Sequence, residues 1–141
     1  MLKYSKYIIR KSNTLPIYLI LEVTSLCNSK CLTCFNWKKT DYDKEKKLSL
    51  HDLEKISQGM KGLLWLALTG GEVFMREDVP DIVRLFEKNN DVKNVTVATN
   101  CLLPDNIKRL SEDILQTTKC NFIVGLSIKI QYGLFTYPAP Q

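Results

Sequence analysis

Residues 17–34 read IYLILEVTSLCNSKCLTC, an apolar run that passes straight into three cysteines. The run IYLILEV over 17–23 is rich in β-branched and large apolar residues, which suits a buried strand. Two more stretches of the same kind follow, LLWLALT over 63–69 and NVTVA over 94–98, and then FIVGLSI over 122–128. Between them lie helical patterns. Ser49 and Asp52 have capping-box spacing ahead of Leu50, Leu53, Ile56 and Met60, and Gly59 and Gly62 end that pattern. A second helix is expected from near Asp78, with Pro80 in its first turn, Ile82, Val83, Leu85 and Phe86 facing inward, and an end at Asn89-Asn90. Pro104 opens a third, carrying Ile107, Leu110, Ile114 and Leu115. Residues 36–48 are polar and charged and read as an exposed connection.

Strands alternating with helices imply right-handed βαβ units and a parallel sheet, an α/β fold. All strands of such a sheet point one way, and ligands bind along the edge formed by their C-terminal ends. The distinctive short motifs fall at that edge: the cysteine loop after strand one, Gly70-Gly71-Glu72 after strand two, Thr99-Asn100 after strand three, and Ser127 at the end of strand four.

The cysteines are spaced Cys27-x3-Cys31-x2-Cys34. Thiolates are soft ligands for iron–sulfur clusters or zinc. A four-iron cubane normally takes four cysteines, so three in one loop leave an iron open. Cys101 follows a strand at the same edge and is a candidate further ligand, whereas Cys120 precedes strand four and belongs at the opposite end. The alternative is a structural zinc completed by His51 or Cys101, although such sites usually pair cysteines from two separated knuckles. Two adjacent glycines allow a close backbone approach, and a carboxylate beside them can accept a charge-assisted hydrogen bond from an ammonium group.

Composition narrows the class. The chain has 141 residues, enough for one ordinary domain, with 45% hydrophobic and 25% charged residues, which is not a disordered composition. A net charge of +5, with slight excesses at Lys3, Lys6, Arg10 and Lys11 and from Lys38 to Lys47, reads as solvated surface. No set of aromatics interleaves with those charges, so no nucleic-acid partner is expected. No stretch approaches the roughly 18 apolar residues of a membrane span, and no apolar signal region precedes Lys11. A cytoplasmic protein without membrane contact is expected. Five cysteines, three of them within eight residues, favour metal or redox chemistry over a disulfide framework.

The stretch EVTSLCNSKCLTC over 22–34 resembles the signature of the radical S-adenosylmethionine (radical SAM) superfamily, with Thr33 where an aromatic residue is common and Phe35 after the last cysteine. The resemblance covers roughly residues 17–128. It implies a partial (β/α)6 TIM-like barrel with parallel strands, of which about four strands and three helices are present. It also implies a 4Fe–4S cluster on Cys27, Cys31 and Cys34, with S-adenosylmethionine on the open iron. Gly70, Gly71 and Glu72 then match the motif that meets the amino group of that molecule, with Val73 in the place of a frequent proline. Asn100 and Ser127 match further cofactor-binding positions, although Cys101, Lys129 and Ile130 depart from the glycine, aspartate and glycine usual there. The run FMREDVPDIV over 74–83 resembles the branch that includes cofactor-maturation and peptide-modifying enzymes.

The implied chemistry is reductive cleavage to a 5′-deoxyadenosyl radical, supplied with electrons by a donor such as flavodoxin or ferredoxin and directed at an unassigned substrate. Residues 1–16 read as an N-terminal extension and 129–141, KIQYGLFTYPAPQ, as an atypical tail with Pro138 and Pro140. From this ending a truncated or frame-shifted product is expected, incomplete as a catalyst. A non-catalytic cluster-binding module is the second reading, and a zinc-stabilised protein the third. Trp37, Trp65 and the tyrosines are assigned to packing.

Overall fold

The computed structural model describes residues 17–31, 34, 47–60 and 62–127. The expectations for Thr33, Phe35, Trp37, the 36–46 connection, Ile128, Lys129, Ile130 and the two terminal segments lie outside these residues. The described chain contains four strands, β1 (Tyr18–Thr24), β2 (Trp65–Gly70), β3 (Asn94–Thr99) and β4 (Asn121–Leu126). Three helices connect them: α1 (Leu50–Gln58), α2 (Val79–Asn90) and α3 (Pro104–Thr117). A single 3-10 turn spans Val73–Met75.

All three strand pairings are parallel, and the sheet order is β1-β2-β3-β4. Each strand therefore adds beside its predecessor. Right-handed crossovers in that order carry every helix to the same face, as in a partial (β/α) barrel.

The packing follows from this order. Leu21, Val23, Leu66, Leu68, Val95 and Val97 turn toward the helices and are buried with Leu53, Ile82, Val83, Phe86, Leu110 and Ile114. The alternate strand residues face the other way. Here the structure departs from the continuous apolar runs, which read as buried on both faces. Ile20 is 64% exposed, and Tyr18 and Ile123 are exposed as well. Among the described residues only one face carries a covering layer. Along the open face, register aligns Tyr18, Trp65, Asn94 and Asn121. The Tyr18 and Trp65 rings stack at 6.1 Å, Trp65 Nε1 donates to Thr96 Oγ1 at 2.8 Å, and Asn121 Nδ2 donates to Asn94 Oδ1 at 3.0 Å. The packing role expected of Trp65 is thus a cross-strand one.

Local signals start all three helices where they are expected. Ser49 and Asp52 form a full capping box at the start of α1. Pro80 sits in the first turn of α2, where its missing N–H has no helical partner to lose. In α3, Leu110 and Ile114 are buried, but Leu115 is 61% exposed. It lies one position past Ile114, about 100° around the helix and off the buried stripe. No helix among the described residues is long and apolar enough to cross a membrane.

Two features fix the C-terminal edge. Register slips between Glu22 and Thr24, a bulge that bends the end of β1. The carbonyl of Val23 at this bulge accepts from Arg76 Nη1 at 2.6 Å. The Arg76 side chain is only 2% exposed, and its Nε and Nη2 grip both oxygens of Asp78 at 2.5 and 2.9 Å. After β3, Cys101 takes φ 66°, the left-handed region. Thr99 Oγ1 accepts its N–H at 3.1 Å and helps hold it there. The position where the family pattern has glycine thus keeps the conformation that favours glycine, and cysteine adopts it at a cost of about 1 kcal/mol.

Two outcomes follow from this edge. Cys101→Gly raises unfolding stability by about 1 kcal/mol in urea titration, and Cys101→Val lowers it. Arg76→Met lowers stability by about 2–3 kcal/mol at pH 7, because it strips a partly buried carboxylate and a buried carbonyl of their donor. The Arg76 hydrogen bonds hold the Asp78 carboxyl below its ordinary value of 3.8. That part of the stability is present above pH 3.8 and is lost as pH falls through the lowered folded-state value. The gap between wild type and Arg76→Met therefore narrows in strong acid, and a gap of constant size down to the acid transition contradicts this role.

Candidate functional site at the C-terminal edge of the sheet

The cysteine loop leaves β1 through a short hydroxyl turn in which Leu26 N donates to Thr24 Oγ1 at 3.1 Å. It is at once tied to the turn after β2. Gly71 N donates to Thr24 O at 2.8 Å, and Glu72 N donates to Leu26 O at 2.7 Å. The two glycines make this possible. A Cβ on Gly71 would lie 1.8 Å from Leu26 O, and one on Gly70, at φ +124°, would lie 2.2 Å from Thr24 O. The close approach expected of this glycine pair is therefore made to the first strand's own chain.

Cys27, Cys31 and Cys34 are all partly exposed. Cys34 N donates to Cys31 O at 2.9 Å, and Ser29 Oγ lies 3.2 Å from Cys31 Sγ. Among the described residues no three His, Cys, Asp or Glu side chains converge closely enough to hold one metal ion. His51 lies in a groove between α1 and α2 beside Glu54, Asp81 and Arg84. The Cys101 thiol turns toward Thr99 O at 3.8 Å. Neither completes a single-ion site with the cysteines, as the zinc alternative requires. Cys120 precedes β4 at the far end of the sheet, where burial pushes its thiol pKa up, so it is not a ready thiolate ligand.

Glu72 is the centre of the arrangement. It is 1% exposed. Its Oε1 accepts from Thr99 Oγ1 at 2.8 Å and Phe74 N at 3.2 Å, and its Oε2 accepts from Asn100 N at 2.7 Å. All three donors are neutral, and no cation pairs with this carboxylate among the described residues. A carboxylate has about four acceptor positions, so one remains unfilled by the described residues.

The other expected residues divide. Asn100 is brought against the cysteine loop: its Nδ2 donates to Asn28 Oδ1 at 2.7 Å and faces Cys27 Sγ at 3.8 Å. Ser127 continues the edge one strand away, with its N–H donated to Thr99 O at 2.8 Å and its side chain exposed. Sequence reading passed over Asn28 and Arg76. The only signal for Arg76 was a lone arginine in an otherwise apolar turn, VFMR over 73–76, and for Asn28 a polar residue inside the cysteine spacing.

The family model described as the Radical SAM superfamily matches residues 21–131, more than half of the chain. The GTP 3′,8-cyclase of Clostridium perfringens is 29% identical over 103 residues, covering 70% of this chain and 32% of that protein. The enzyme of the same name from Cronobacter sakazakii is 30% identical over 103 residues, covering 70% of this chain and 30% of its own. That of Yersinia pestis is 32% identical over 85 residues, covering 59% and 26%. The chain thus spans about a third or less of the length of these curated relatives. No solved structure matches it. With its cysteine loop, its glycine–glutamate turn and strands β2, β3 and β4 inside the matched region, this chain belongs to the radical SAM superfamily.

Proposed function

We propose that this chain holds a 4Fe–4S cluster on Cys27, Cys31 and Cys34 and S-adenosylmethionine on the open iron, with the amino group of that molecule beside Glu72. The observation that carries the reading is the buried, cation-free carboxylate of Glu72, hydrogen-bonded through its own backbone N–H to the first residue before Cys27. Burying a charge without a counter-charge is costly. An ammonium group arriving at the remaining acceptor position recovers that cost, and an apolar or anionic ligand does not. The donor set fits as well: one loop offers three thiolates and leaves a fourth iron without a protein ligand. A reduced cluster held there would supply the electron for reductive cleavage of S-adenosylmethionine.

The protein's own part is orientation. Thr99, Asn100 and Phe74 hold the Glu72 carboxylate in one rotamer, so its open acceptor position points one way. The glycine pair keeps that carboxylate at a fixed distance from the loop. The departure at Cys101 does not weigh against this role, because its backbone keeps the positive φ. Ser127, on the same edge, is the candidate for the ribose side of the molecule, and a low-potential donor of the flavodoxin or ferredoxin kind is the expected electron source.

Anaerobic reconstitution with iron and sulfide tests the reading. Wild type takes up about four irons per chain, and its reduced electron paramagnetic resonance spectrum changes on adding S-adenosylmethionine. Alanine at Cys27, Cys31 or Cys34 abolishes uptake, and alanine at Cys101 or Cys120 leaves iron content unchanged. A cluster that needs Cys101, or a spectrum indifferent to S-adenosylmethionine, removes the proposal. Glu72→Gln keeps the cluster and weakens S-adenosylmethionine binding roughly 30-fold, about 2 kcal/mol. Gly71→Ala costs about 3 kcal/mol of stability and lowers iron uptake, since the new methyl displaces Leu26 at the mouth of the loop. Uptake as efficient as wild type in that variant shows that the glycine contact does not position the cysteines.

A further inference from the structure

Asn100 is held within the protein at its backbone N–H and at both ends of its side-chain amide. Its backbone N–H is committed to Glu72 Oε2 at 2.7 Å, and its Oδ1 accepts from Leu102 N at 2.9 Å. That second bond settles which end of the amide is which. The end facing a backbone N–H is the oxygen, so the end facing the cysteine loop is the NH2. One of its two hydrogens goes to Asn28 Oδ1 at 2.7 Å, and the other is left to point at Cys27 Sγ, 3.8 Å from the nitrogen. The donor sits on the strand that also clamps Glu72, so the first cysteine and the buried carboxylate are referenced to one residue.

We propose that Asn100 is a positioning and tuning residue for the cluster, donating an N–H···S hydrogen bond to the Cys27 thiolate, and not a direct contact of S-adenosylmethionine. The inference rests on the cluster reading above and assigns one residue within it. Its sign follows from electrostatics. One-electron reduction adds negative charge that spreads onto the coordinating sulfurs. A donor aimed at one of them stabilises the reduced form more than the oxidised form, so it makes the midpoint potential less negative. Without the donor the cluster is harder to reduce.

The test uses the full chain, reconstituted anaerobically, with midpoint potentials from dye-mediated titration followed by electron paramagnetic resonance. Asn100→Ala removes the donor, and its potential is more negative than that of wild type. Asn100→Asp keeps the oxygen that accepts from Leu102 N and sets a second oxygen against the sulfur, so its potential is the most negative of the three. Where Asn100→Asp retains no cluster, Asn100→Ala still gives the reading. Asn28→Ala removes the neighbouring partner and leaves the N–H facing Cys27, and it keeps the wild-type potential. An Asn100→Ala potential equal to wild type overturns the inference. So does an Asn28→Ala shift as large as that of Asn100→Ala, because loop order and not the N–H···S contact then sets the potential. Failure of wild type to assemble any cluster overturns the underlying reading together with this one, and is distinguished by iron content alone.

Discussion

Everything at the functional edge depends on one close approach, the contact of the Gly70-Gly71 turn with the carbonyls of Thr24 and Leu26. The backbone N–H groups of Gly71 and Glu72 donate to those carbonyls at 2.8 and 2.7 Å. No side chain fits between them, since a Cβ at either glycine falls well inside van der Waals distance of a carbonyl oxygen. The two hydrogen bonds extend the β1–β2 pairing past the bulge at the end of β1, into the first residues of the cysteine loop. A loop that would otherwise be free at its root leaves the sheet in a set direction. Arg76 reinforces the same junction by taking the Val23 carbonyl from the other side of the turn.

Glu72 then connects three strands. It follows β2, its N–H is held by the chain after β1, and its carboxylate is held by Thr99 and Asn100 at the end of β3. Neutral donors satisfy the oxygens without cancelling the charge. Such a group is stable enough to remain buried and still attractive to a cation, which is the combination a binding site for an ammonium needs. Asn100 serves the same junction twice, through its backbone toward Glu72 and through its amide toward Asn28 and Cys27. Hydrogen bonds therefore tie the cysteine loop, the carboxylate and the third strand to one another.

Elements were legible in the sequence wherever a local rule decides the conformation. The capping box at Ser49, the proline in the first turn of α2 and the proline opening α3 act within one turn of helix, and each falls where it is expected. Failures came where the outcome depends on distant chain. The apolar strand runs read as buried on both faces, yet Ile20 and Ile123 are exposed, because sequential strand order sends all three helices to one side. Cys101 looked like a breach of the pattern, and its φ of 66° shows that the backbone kept the turn while the residue changed.

By itself the sequence determined the chemistry available: three soft thiolates in one loop, a glycine pair with a carboxylate, and an alternation of strands and helices that allows a parallel sheet. These are properties of residue type and spacing, which are local. The family also was readable there, from the motif around Cys27, Cys31 and Cys34. Tertiary structure alone decided what those residues do to one another. It turned the glycine pair toward β1, buried Glu72 with no cation beside it among the described residues, and set the Asn100 amide against Cys27. Such pairings join residues as many as 73 positions apart, and only the register of neighbouring strands brings them within hydrogen-bond distance.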